Sequence, residues 1–336
     1  MKNINLIAEI GMAHNGNISL AHSFIDAAAA NGANAVKFQT HIAEEESTVF
    51  DKFRIKNKYL KYNSRYEYWK KTEFTIDQWF ELKKHAEQKK LVFFSSPFSI
   101  KAVDLLKKIN VQIWKIASGE LNNYPLVEKI SKFNQNIILS TGMSSMQEIK
   151  DTIKVIKKNT NKLSLAQCTS IYPCPPEQLG LNLILDLKKK FKCKVGFSDH
   201  SGDYLTAILA KAFGADFVEV HVTFDKNWVG FDTVSSVTFD ELLIISKSLN
   251  FVEKIAYKKL SKDQISLNLK KTKGLFEKSI FLEKDIKKNS KILFNDISFK
   301  KPAIGILAKN YKKIIGKKVK KNISKGSSLK KKDIIW

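Results

Sequence analysis

Strand-length runs of apolar and β-branched residues recur along residues 1–225 of this chain, and longer stretches with helical spacing of apolar residues separate them. This alternation is typical of β–α units, whose strands assemble into a parallel sheet covered by helices. The predicted strands are Asn5–Gly11, Ala33–Thr40, Leu91–Pro97, Gln112–Ser118, Asn136–Gly142, Leu163–Ser170, Lys194–Ser201 and Phe217–Phe224. The predicted helices between them include Leu20–Asn31, Ile76–Lys90, Ser99–Ile109, Ser145–Lys158 and Tyr204–Phe213.

Eight such units in about 250 residues have the size and count of a TIM (β/α)8 barrel. A doubly wound sheet is the alternative, but Gly11–Gly16 lacks the third glycine of a dinucleotide-binding fingerprint, and no acid ends the second strand. We therefore predict a barrel over residues 1–256, with its last helix at Phe239–Ala256. The insertion Glu44–Thr75 exceeds an ordinary β–α loop and is predicted to be a functional loop.

The C-terminal part of the chain has a different pattern. Residues 257–273 are polar and lysine-rich and are predicted to be a linker, which leaves 274–336 as a second domain. Within it, residues 284–297 align with 321–334. The identical positions are Lys284/Lys321, Ile286/Ile323, Lys288/Lys325, Ser290/Ser327, Asp296/Asp333 and Ile297/Ile334. Turn residues between apolar positions in each copy predict a small, internally repeated β-rich domain.

The formal net charge of +25 raises the question of a nucleic-acid partner. However, residues 251–336 hold 25 lysines and 7 acidic residues, so most of the excess lies in the C-terminal part. Arginine, the preferred reader of phosphates and guanine edges, occurs only as Arg54 and Arg65. We interpret the lysines as solvated faces and predict no nucleic-acid partner. The alternative is a basic carbohydrate- or nucleic-acid-binding protein with a degenerate barrel, which would lack polar strand ends.

Membrane and disulfide signals are weak. No apolar run reaches the ~18 residues that suggest a membrane span, and Met1–Glu9 does not resemble a secretory signal. We therefore expect a cytoplasmic protein without a membrane partner. Cys168, Cys174 and Cys193 match neither a disulfide framework nor a CxxC pair and are predicted to be buried free thiols.

Polar residues end every predicted strand, where a TIM barrel has its active site. They are Glu9; Lys37 and Gln39; Ser95 and Ser96; Lys115, Ser118 and Glu120; Ser140 and Thr141; Gln167 and Thr169; Ser198, Asp199 and His200; and Glu219 and His221. A lysine deep in a barrel is costly unless it is paired with an anion. Lys37 and Lys115 therefore predict a doubly anionic ligand, such as a phosphorylated carboxylate, with serine hydroxyls around its phosphate. The alternative for either lysine is a solvated strand end or a structural ion pair with Glu9 or Glu120.

His200 and His221 end consecutive strands, which suggests that both imidazoles bind one divalent metal ion. Alternatively, each is a hydrogen-bonded core histidine or a general base. The chain has no HExxH, cysteine quartet, Walker A or GxSxG motif, which disfavours zinc peptidases, NTP hydrolases and serine hydrolases.

The strand-end motifs together resemble those of the sialic acid (N-acetylneuraminate) synthase family. The matching segments are Glu9–Gly16, Val36–Thr40, Ser95–Phe98, Lys115–Glu120, Leu139–Met143, Cys168–Pro173 and Gly196–His200. The repeated tail resembles that family's antifreeze-like SAF domain, including Lys300-Lys301-Pro302 and Ile315–Lys318. The resemblance covers nearly the whole chain in order.

This resemblance implies a phosphoenolpyruvate-dependent transferase. Phosphoenolpyruvate would condense with an N-acetylated hexosamine aldehyde, similar to N-acetylmannosamine, and with water. The products would be phosphate and a nonulosonate, either N-acetylneuraminate or a legionaminate or pseudaminate relative. The alternative enzyme is a deoxyoctulosonate-type synthase acting on a phosphorylated sugar, which predicts a further cationic cluster that this sequence lacks.

The resemblance also implies roles for individual residues. Phosphoenolpyruvate would bind through its carboxylate to Lys37 and Ser96, and through its phosphate to Lys115, Ser118, Ser140 and Ser198. His200 and His221 would act in catalysis by holding Mn²⁺, with Mg²⁺ or Co²⁺ as alternatives. Glu120 and Glu9 would transfer protons. The sugar would contact Gln39, Tyr172, Asp232 and, from the tail of a partner subunit in a domain-swapped homodimer, Lys301.

This chain departs from the family pattern at four positions. Ser170 stands where the family usually has Asn, and Val220 stands where it has Lys or Arg. Phe231 replaces a proline before Asp232, and Lys301 replaces an arginine, which removes a planar hydrogen-bonding fork. These differences leave the identity of the sugar, and any change in rate, open.

Overall fold

The chain folds as two units, Met1–Tyr257 and Lys258–Trp336, in a computed structural model. The structure describes residues 4–53, 62–256 and 260–336. Part of the Glu44–Thr75 insertion, including Arg54, therefore lies outside the described residues. The same holds for Met1–Asn3 and for the first three residues of the predicted linker.

The first unit is a closed parallel barrel. Its strands are β1 (Leu6–Gly11), β2 (Ala35–Thr40), β3 (Val92–Pro97), β4 (Ile113–Ile116), β5 (Asn136–Ser140), β6 (Leu163–Gln167), β7 (Lys194–Asp199) and β8 (Val218–Thr223). Each strand pairs in parallel with the next, and β1 pairs with β8, which closes the sheet. A short strand, β9 (Ser236–Thr238), adds to β8. The predicted TIM barrel is confirmed, with every strand within a few residues of its expected position.

Helices follow the strands on the outside of the barrel. They are α1 (Ile18–Ala30), α2 (Ala43–Glu46), α3 (Arg65–Thr72), α4 (Ile76–Gln88), α5 (Ile100–Lys108), α6 (Tyr124–Ser131), α7 (Met146–Lys157), α8 (Leu183–Phe191), α9 (Tyr204–Ala212) and α10 (Phe239–Ala256). Side-chain caps fix several of the starts. Thr75 with Gln78, and Ser145 with Glu148, form capping boxes at α4 and α7.

Strand alternation divides the barrel interior into two layers. The first layer is apolar and consists of Ile7, Ala35, Phe94, Ile113, Ile138, Ala166 and Phe217, together with Ile4. Gly196 on β7 makes room for this layer, because a Cβ atom there would lie 2.3 Å from the Phe217 ring. Two residues further along most strands, the same face carries polar side chains. The interior of the barrel is therefore filled by an apolar layer, and a layer of polar side chains lies above it at the C-terminal end.

A second apolar layer lies between the strands and the surrounding helices. It includes Phe38, Trp114 and Val220 from the strands and Leu82 and Leu106 from the helices, all fully or almost fully buried. This layer holds the outward face of each strand, so the inward face is free to carry the site.

The second unit is small and β-rich. It contains α11 (Lys262–Asn268), α12 (Lys270–Phe276), β10 (Ser279–Leu282), β11 (Ile297–Lys300), β12 (Lys318–Val319) and β13 (Ile334–Ile335). Its strands pair antiparallel, β10 with β11 and β12 with β13. The two short helices occupy much of the predicted linker 257–273.

The sequence repeat of this unit is a structural repeat. Ile286 and Ile323, which occupy equivalent positions, exchange two backbone hydrogen bonds of 2.9 Å. Flanking hydrogen bonds are reciprocal too, from Lys288 N to Asn322 Oδ1 and from Lys325 N to Asp285 Oδ1, each 2.7 Å. The two copies therefore face each other as matched halves and share one core that neither could close alone.

Two further expectations concern membranes and thiols. Within the described ranges, no helix is both long enough and apolar enough to cross a membrane. All three cysteines are free; Cys168 and Cys174 are buried as predicted, whereas Cys193 is only half-buried.

Candidate active site

The register of the barrel brings polar side chains from non-neighbouring parts of the sequence together. Glu9 on β1 is level with Lys37 on β2 and with His221 on β8. Gln39 is level with Ser96 on β3, and similar pairing joins β7 to β8. Because these residues share the inward face of their strands, their side chains meet at the C-terminal end of the barrel.

A cavity of about 500 Å³ opens at this end. It is lined by every barrel residue that was given a role from the sequence, namely Glu9, Lys37, Gln39, Ser96, Lys115, Ser118, Glu120, Ser140, Tyr172, Ser198, His200, His221 and Asp232. Their shared location supports one site for all of these residues, whereas their individual roles remain predictions. Of the other polar residues at the strand ends, Glu219 lines the cavity, whereas Ser95, Thr141, Gln167, Thr169 and Asp199 do not.

Two lysines and two glutamates form a buried charge cluster at the base of the cavity. Lys37 Nζ lies 2.7 Å from Glu9 Oε2 and 3.5 Å from Glu219 Oε1, and Lys115 Nζ lies 2.5 Å from Glu219 Oε2. Each side chain is at most 5% exposed. Glu219 was not assigned a role from the sequence, although it precedes His221 by two residues on the same strand face. Of the two alternative ion pairs, the one with Glu9 is present at Lys37, whereas Lys115 pairs with Glu219 and not with Glu120.

Burial and mutual charge act against each other in this cluster. Burial alone would lower the pKa of Lys37, but the carboxylates of Glu219 and Glu9 raise it above its ordinary value. Burial lowers the pKa of Lys115, and the charge of Glu219 offsets this only in part. Burial would likewise raise the pKa of Glu219, yet the two lysines hold it well below the usual range. The ligand-free cluster is therefore electrically balanced, and Lys115 is its less stabilised cation.

Serine hydroxyls surround these charges. Lys37 Nζ donates to Ser96 Oγ at 3.4 Å, and Ser198 Oγ donates to Glu219 Oε1 at 3.0 Å. Ser118 Oγ accepts the Gly142 amide at 3.1 Å. Small hydroxyls beside ammonium groups can turn towards an anion without backbone movement, so this wall is suited to a phosphate or carboxylate.

The two predicted metal-binding histidines face one another, with ring centroids 5.6 Å apart. His200 Nδ1 donates to the Thr169 carbonyl at 2.8 Å, which leaves Nε2 unprotonated and 2.8 Å from Tyr172 Oη. Burial, and then the neighbouring His221, lower the pKa of His200 to about 3. The imidazole is therefore neutral, and its Nε2 lone pair accepts the Tyr172 hydroxyl at the cavity wall.

A neutral, oriented imidazole is the form that binds a divalent metal ion. His221 lies across the cavity, with its Nδ1 3.9 Å from Asp232 Oδ2. Among the described residues, however, no group of three or more histidine, cysteine or acidic side chains is arranged to hold a metal. The residues present fit an ion that takes two imidazoles from the protein and its other ligands from water and substrate.

Glu120 is a carboxyl group of the cavity lining whose pKa is raised above its ordinary value. Burial raises its pKa, the nearby charge of Glu46 raises it further, and a hydrogen bond from Asn123 opposes both effects. Asn123 Nδ2 donates to Glu120 Oε2 at 2.7 Å. A carboxyl group whose ionisation is disfavoured is suited to general acid–base catalysis.

The Glu44–Thr75 insertion contributes an aromatic wall to the cavity, which the sequence did not reveal in detail. Phe53, Tyr68 and Trp69 line the cavity, as does Phe231 from the segment after β8. Phe53 and Phe231 stack with ring centroids 4.7 Å apart. Arg65 also lines the cavity and pairs with Asp51 at 3.5 Å. The described part of the insertion thus forms one side of the site.

The sequence departures have different structural settings. Ser170 and Phe231 line the cavity. Val220 does not line the cavity, because it lies in the outer apolar layer and is 1% exposed. Its side chain therefore does not contact a sugar bound in the cavity. Lys301 belongs to the second unit, where its Nζ lies over the Phe276 ring at 4.9 Å.

Comparison with known families identifies both units. The model of the NeuB family matches residues 24–260, and the SAF domain model matches residues 277–335. The first match covers the barrel from α1 to just beyond α10, and the second covers the repeated β-rich unit.

Individual relatives match along almost the whole chain. An N,N'-diacetyllegionaminic acid synthase from Campylobacter jejuni is 36% identical, over 96% of this chain and 97% of its own. A pseudaminic acid synthase from the same species is 32% identical, over 99% and 97%. The crystal structure of an N-acetylneuraminic acid synthetase from Leptospira borgpetersenii, in complex with citrate, superposes with a TM-score of 0.72 at 31% identity, over 81% of this chain and 92% of its own.

Proposed function

This chain belongs to the NeuB family, and on that premise we propose that it is a phosphoenolpyruvate-dependent nonulosonate synthase. The reaction joins C3 of phosphoenolpyruvate to the aldehyde carbon of an acetamido hexose. Water adds to C2, the bond from C2 to the phosphate oxygen breaks, and phosphate leaves. The products are a nine-carbon 2-keto acid and inorganic phosphate.

The observation that carries this proposal is the buried pair of lysines among serine hydroxyls. Lys37 and Ser96 are assigned to the carboxylate of phosphoenolpyruvate. The phosphate is assigned to Lys115, Ser118, Ser140 and Ser198, which line the same cavity. Because Glu219 already neutralises Lys115, the arriving phosphate competes with that carboxylate for the ammonium group. The hydroxyls then supply donors that a carboxylate partner does not provide.

The acceptor sugar is assigned to the side of the cavity that carries the aromatic residues, away from the lysines and serines assigned to phosphoenolpyruvate. Gln39, Tyr172 and Asp232 supply polar contacts, and the stacked Phe53 and Phe231 supply an apolar surface. An acetamido group has both an amide and a methyl group, so it gains from a wall that combines hydrogen-bonding and aromatic groups. This combination supports the N-acylated hexosamine class that the family resemblance implies, and the number of acetamido groups is left to experiment.

His200 and His221 are assigned to a divalent metal ion, with Mn²⁺ favoured and Mg²⁺ or Co²⁺ as alternatives. When bound, such an ion supplies Lewis acidity towards the aldehyde oxygen. The Thr169 carbonyl orients the His200 ring, and the Tyr172 hydroxyl occupies the Nε2 lone pair that the metal ion would take. Glu120 is positioned to hold a proton, and Glu9 is the second carboxylate within the cavity.

We further propose that the active assembly is a domain-swapped homodimer located in the cytoplasm. In this arrangement, Lys301 of one chain completes the sugar site of the other. The support is the match of residues 277–335 to the SAF domain model.

The test is phosphate release from phosphoenolpyruvate across a panel of free mono- and diacetamido hexoses, with Mn²⁺ present. We expect release to depend on one of these acceptors, with a nonulosonate as the co-product detected by mass spectrometry. A phosphorylated pentose is included in the panel. Release with that sugar alone would overturn the proposal in favour of the deoxyoctulosonate-type reaction, and binding without release would favour the non-enzymatic alternative.

A further inference from the structure

A third histidine lies next to the cavity, and the sequence did not single it out. His41 follows β2, two residues after Gln39, and is 6% exposed. Its ring is held between two aromatic rings. The Trp69 ring is nearly parallel with its centroid 3.8 Å away, and the Phe98 ring is stacked at 4.2 Å. A buried imidazole in such a sandwich has a fixed plane, so the directions of its two nitrogens are fixed as well.

Both nitrogens of His41 have hydrogen-bonding partners. Nδ1 lies 2.5 Å from Glu46 Oε1, and Nε2 lies 3.2 Å from Gln39 Oε1. Gln39 in turn donates from Nε2 to Glu9 Oε1 at 3.1 Å. The other oxygen of Glu9 lies 2.7 Å from Lys37 Nζ. A hydrogen-bonded series therefore runs from Glu46, through His41 and Gln39, to Glu9 in the charge cluster.

The direction of each bond in this series is set by chemistry. Glu9, held against a lysine ammonium group, is an acceptor, so the Gln39 amide must present its NH₂ to Glu9 and its oxygen to His41. His41 must therefore donate from Nε2. Its Nδ1 faces the Glu46 carboxylate, which also accepts. Both nitrogens thus carry protons, and a cationic ring is favoured between two aromatic faces and beside a carboxylate.

We propose that His41 is a cationic positioning residue, charged by Glu46 and clamped by Trp69 and Phe98, that locks the Gln39 amide in the one orientation able to bind both Glu9 and the acceptor sugar. This role rests on the proposed function, because it assumes that Gln39 contacts the acceptor. Without the Nε2 proton, the Gln39 oxygen loses its donor, and the amide is held only by its hydrogen bond to Glu9. Acceptor binding then loses a preorganised contact, whereas phosphoenolpyruvate binding keeps its own.

Other ionisable groups around His41 are compatible with this assignment. Glu120 lies near enough to Glu46 that the charge of Glu46 contributes to its raised pKa. Burial lowers the pKa of His14 to about 3, and the positive charge of His41 adds to this effect. His14 is therefore neutral. Glu44 and Glu45, next to Glu46 on α2, are occupied by Lys70 and Lys101.

The kinetic test compares His41→Phe with the unmodified full-length chain. Phenylalanine retains the stacked ring and removes both N–H groups. We expect the acceptor KM to rise about tenfold or more while the phosphoenolpyruvate KM is unchanged. Glu46→Gln, which keeps an acceptor but removes the counter-charge, should change the acceptor KM in the same direction by a smaller factor. His14→Phe is the matched control, since His14 is equally buried and stacks on Phe74 without touching Gln39.

A spectroscopic test is independent of turnover. In full-length protein labelled with ¹⁵N-histidine, the His41 ring should show two protonated nitrogens at neutral pH, and Glu46→Gln should reduce this signature. A neutral His41 ring would overturn the proposal. So would equal rises in both KM values, or a response to His14→Phe as large as that to His41→Phe. If the unmodified chain releases no phosphate with any acceptor, the proposed function fails, and the nitrogen spectrum still decides the charge of His41.

Discussion

Glu219 changes how the lysines of this site are understood. From the sequence, two buried ammonium groups required an anionic ligand as their counter-charge. In the structure, Glu219 and Glu9 already provide that charge. A buried pair that loses one partner is left with an uncompensated charge. Ligand binding therefore exchanges one set of partners for another, and the lysines do not by themselves prove that an anion binds.

The phosphate role of Lys115 is tested by Lys115→Met. This change removes the less stabilised cation of the cluster, and Glu219 keeps its contacts with Lys37 and Ser198. We expect the phosphoenolpyruvate KM to rise about tenfold or more, with the acceptor KM nearly unchanged. Lys211→Met is the matched control, because Lys211 is also buried but pairs with Glu253 and Asn5, outside the cavity. An unchanged phosphoenolpyruvate KM would show that Lys115 is only structural.

The pH dependence of the reaction is tested at Asn123. Asn123→Asp keeps the oxygen that caps α6 but places a negative charge beside Glu120. Because a like charge disfavours ionisation, the pKa of Glu120 should rise further. The limb of the kcat/KM profile that reports Glu120 should therefore move to higher pH. Asn122→Asp serves as the control, since Asn122 faces Glu148 instead. A profile that moves equally in both variants, or in neither, contradicts the acid–base role of Glu120.

At the scale of elements, the strands were the most predictable part of the molecule. Glu9, Lys37 and Lys115 were predicted at the ends of strands, and the alternation of side chains along those strands turns all three inward, where the structure brings them together. Alternation gives only the direction of a side chain, however, and not its partner. The pairing of Lys115 with Glu219 joins β4 to β8 across the barrel, a contact that no local pattern contains. The ring orientation of His200 depends similarly on Thr169 in another loop.

The Glu44–Thr75 insertion was predicted to be a functional loop only because it is longer than an ordinary β–α loop. Its polar composition gave no sign that Trp69 and Phe53 would face the cavity. Nor did it show that His41, just before it, would be enclosed by Trp69 from α3 and Phe98 from the loop after β3. Such a contact depends on the tertiary path of a loop, and sequence periodicity does not encode that path.

The predicted metal ion would bind to His200 and His221, at the C-terminal ends of β7 and β8. After exhaustive EDTA treatment, we expect turnover to stop and to return with added Mn²⁺. His200→Ala or His221→Ala should abolish stoichiometric metal in elemental analysis. Each change should also cost more than about 3 kcal/mol of transition-state stabilisation, if the metal is the main Lewis acid. Full activity in a sample that elemental analysis shows to be free of metal would contradict this role.

At the scale of the whole molecule, the charge of the chain is unevenly divided. The lysine excess lies in residues 251–336, which include the SAF unit, whereas the first unit carries the balanced cluster at its cavity. Many of these lysines are exposed, and several pair with acids on the same unit, such as Lys300 with Glu283 and Lys284 with Asp296. Exposed ion pairs contribute little to stability. The lysine excess therefore contributes little to the stability of the SAF unit, and its main effect is on the electrostatic interactions of that unit with other molecules.

The domain-swapped homodimer makes a prediction that a monomer, or a dimer with self-contained sites, does not make. If Lys301 acts in trans, each site takes His200 from one chain and Lys301 from the other. Lys301→Ala and His200→Ala homodimers should then both be nearly inactive. A heterodimer of the two variants contains one site with both defects and one site with neither, so it should recover up to about half of the wild-type activity per dimer.

The measurement uses the two variants with different affinity tags, mixed under conditions that exchange subunits and purified through both tags in sequence. Recovered phosphate release, in proportion to the fraction of heterodimer, supports the exchange of SAF units between chains. In a dimer whose sites are each built from one chain, every site would carry one defect and mixing would recover nothing. Lys301→Arg provides the matched control, because it keeps the cation and restores the planar fork; its homodimer should be active without mixing. Verified heterodimers that stay inactive would exclude the swapped arrangement, since both defects would then act within the chain that carries them.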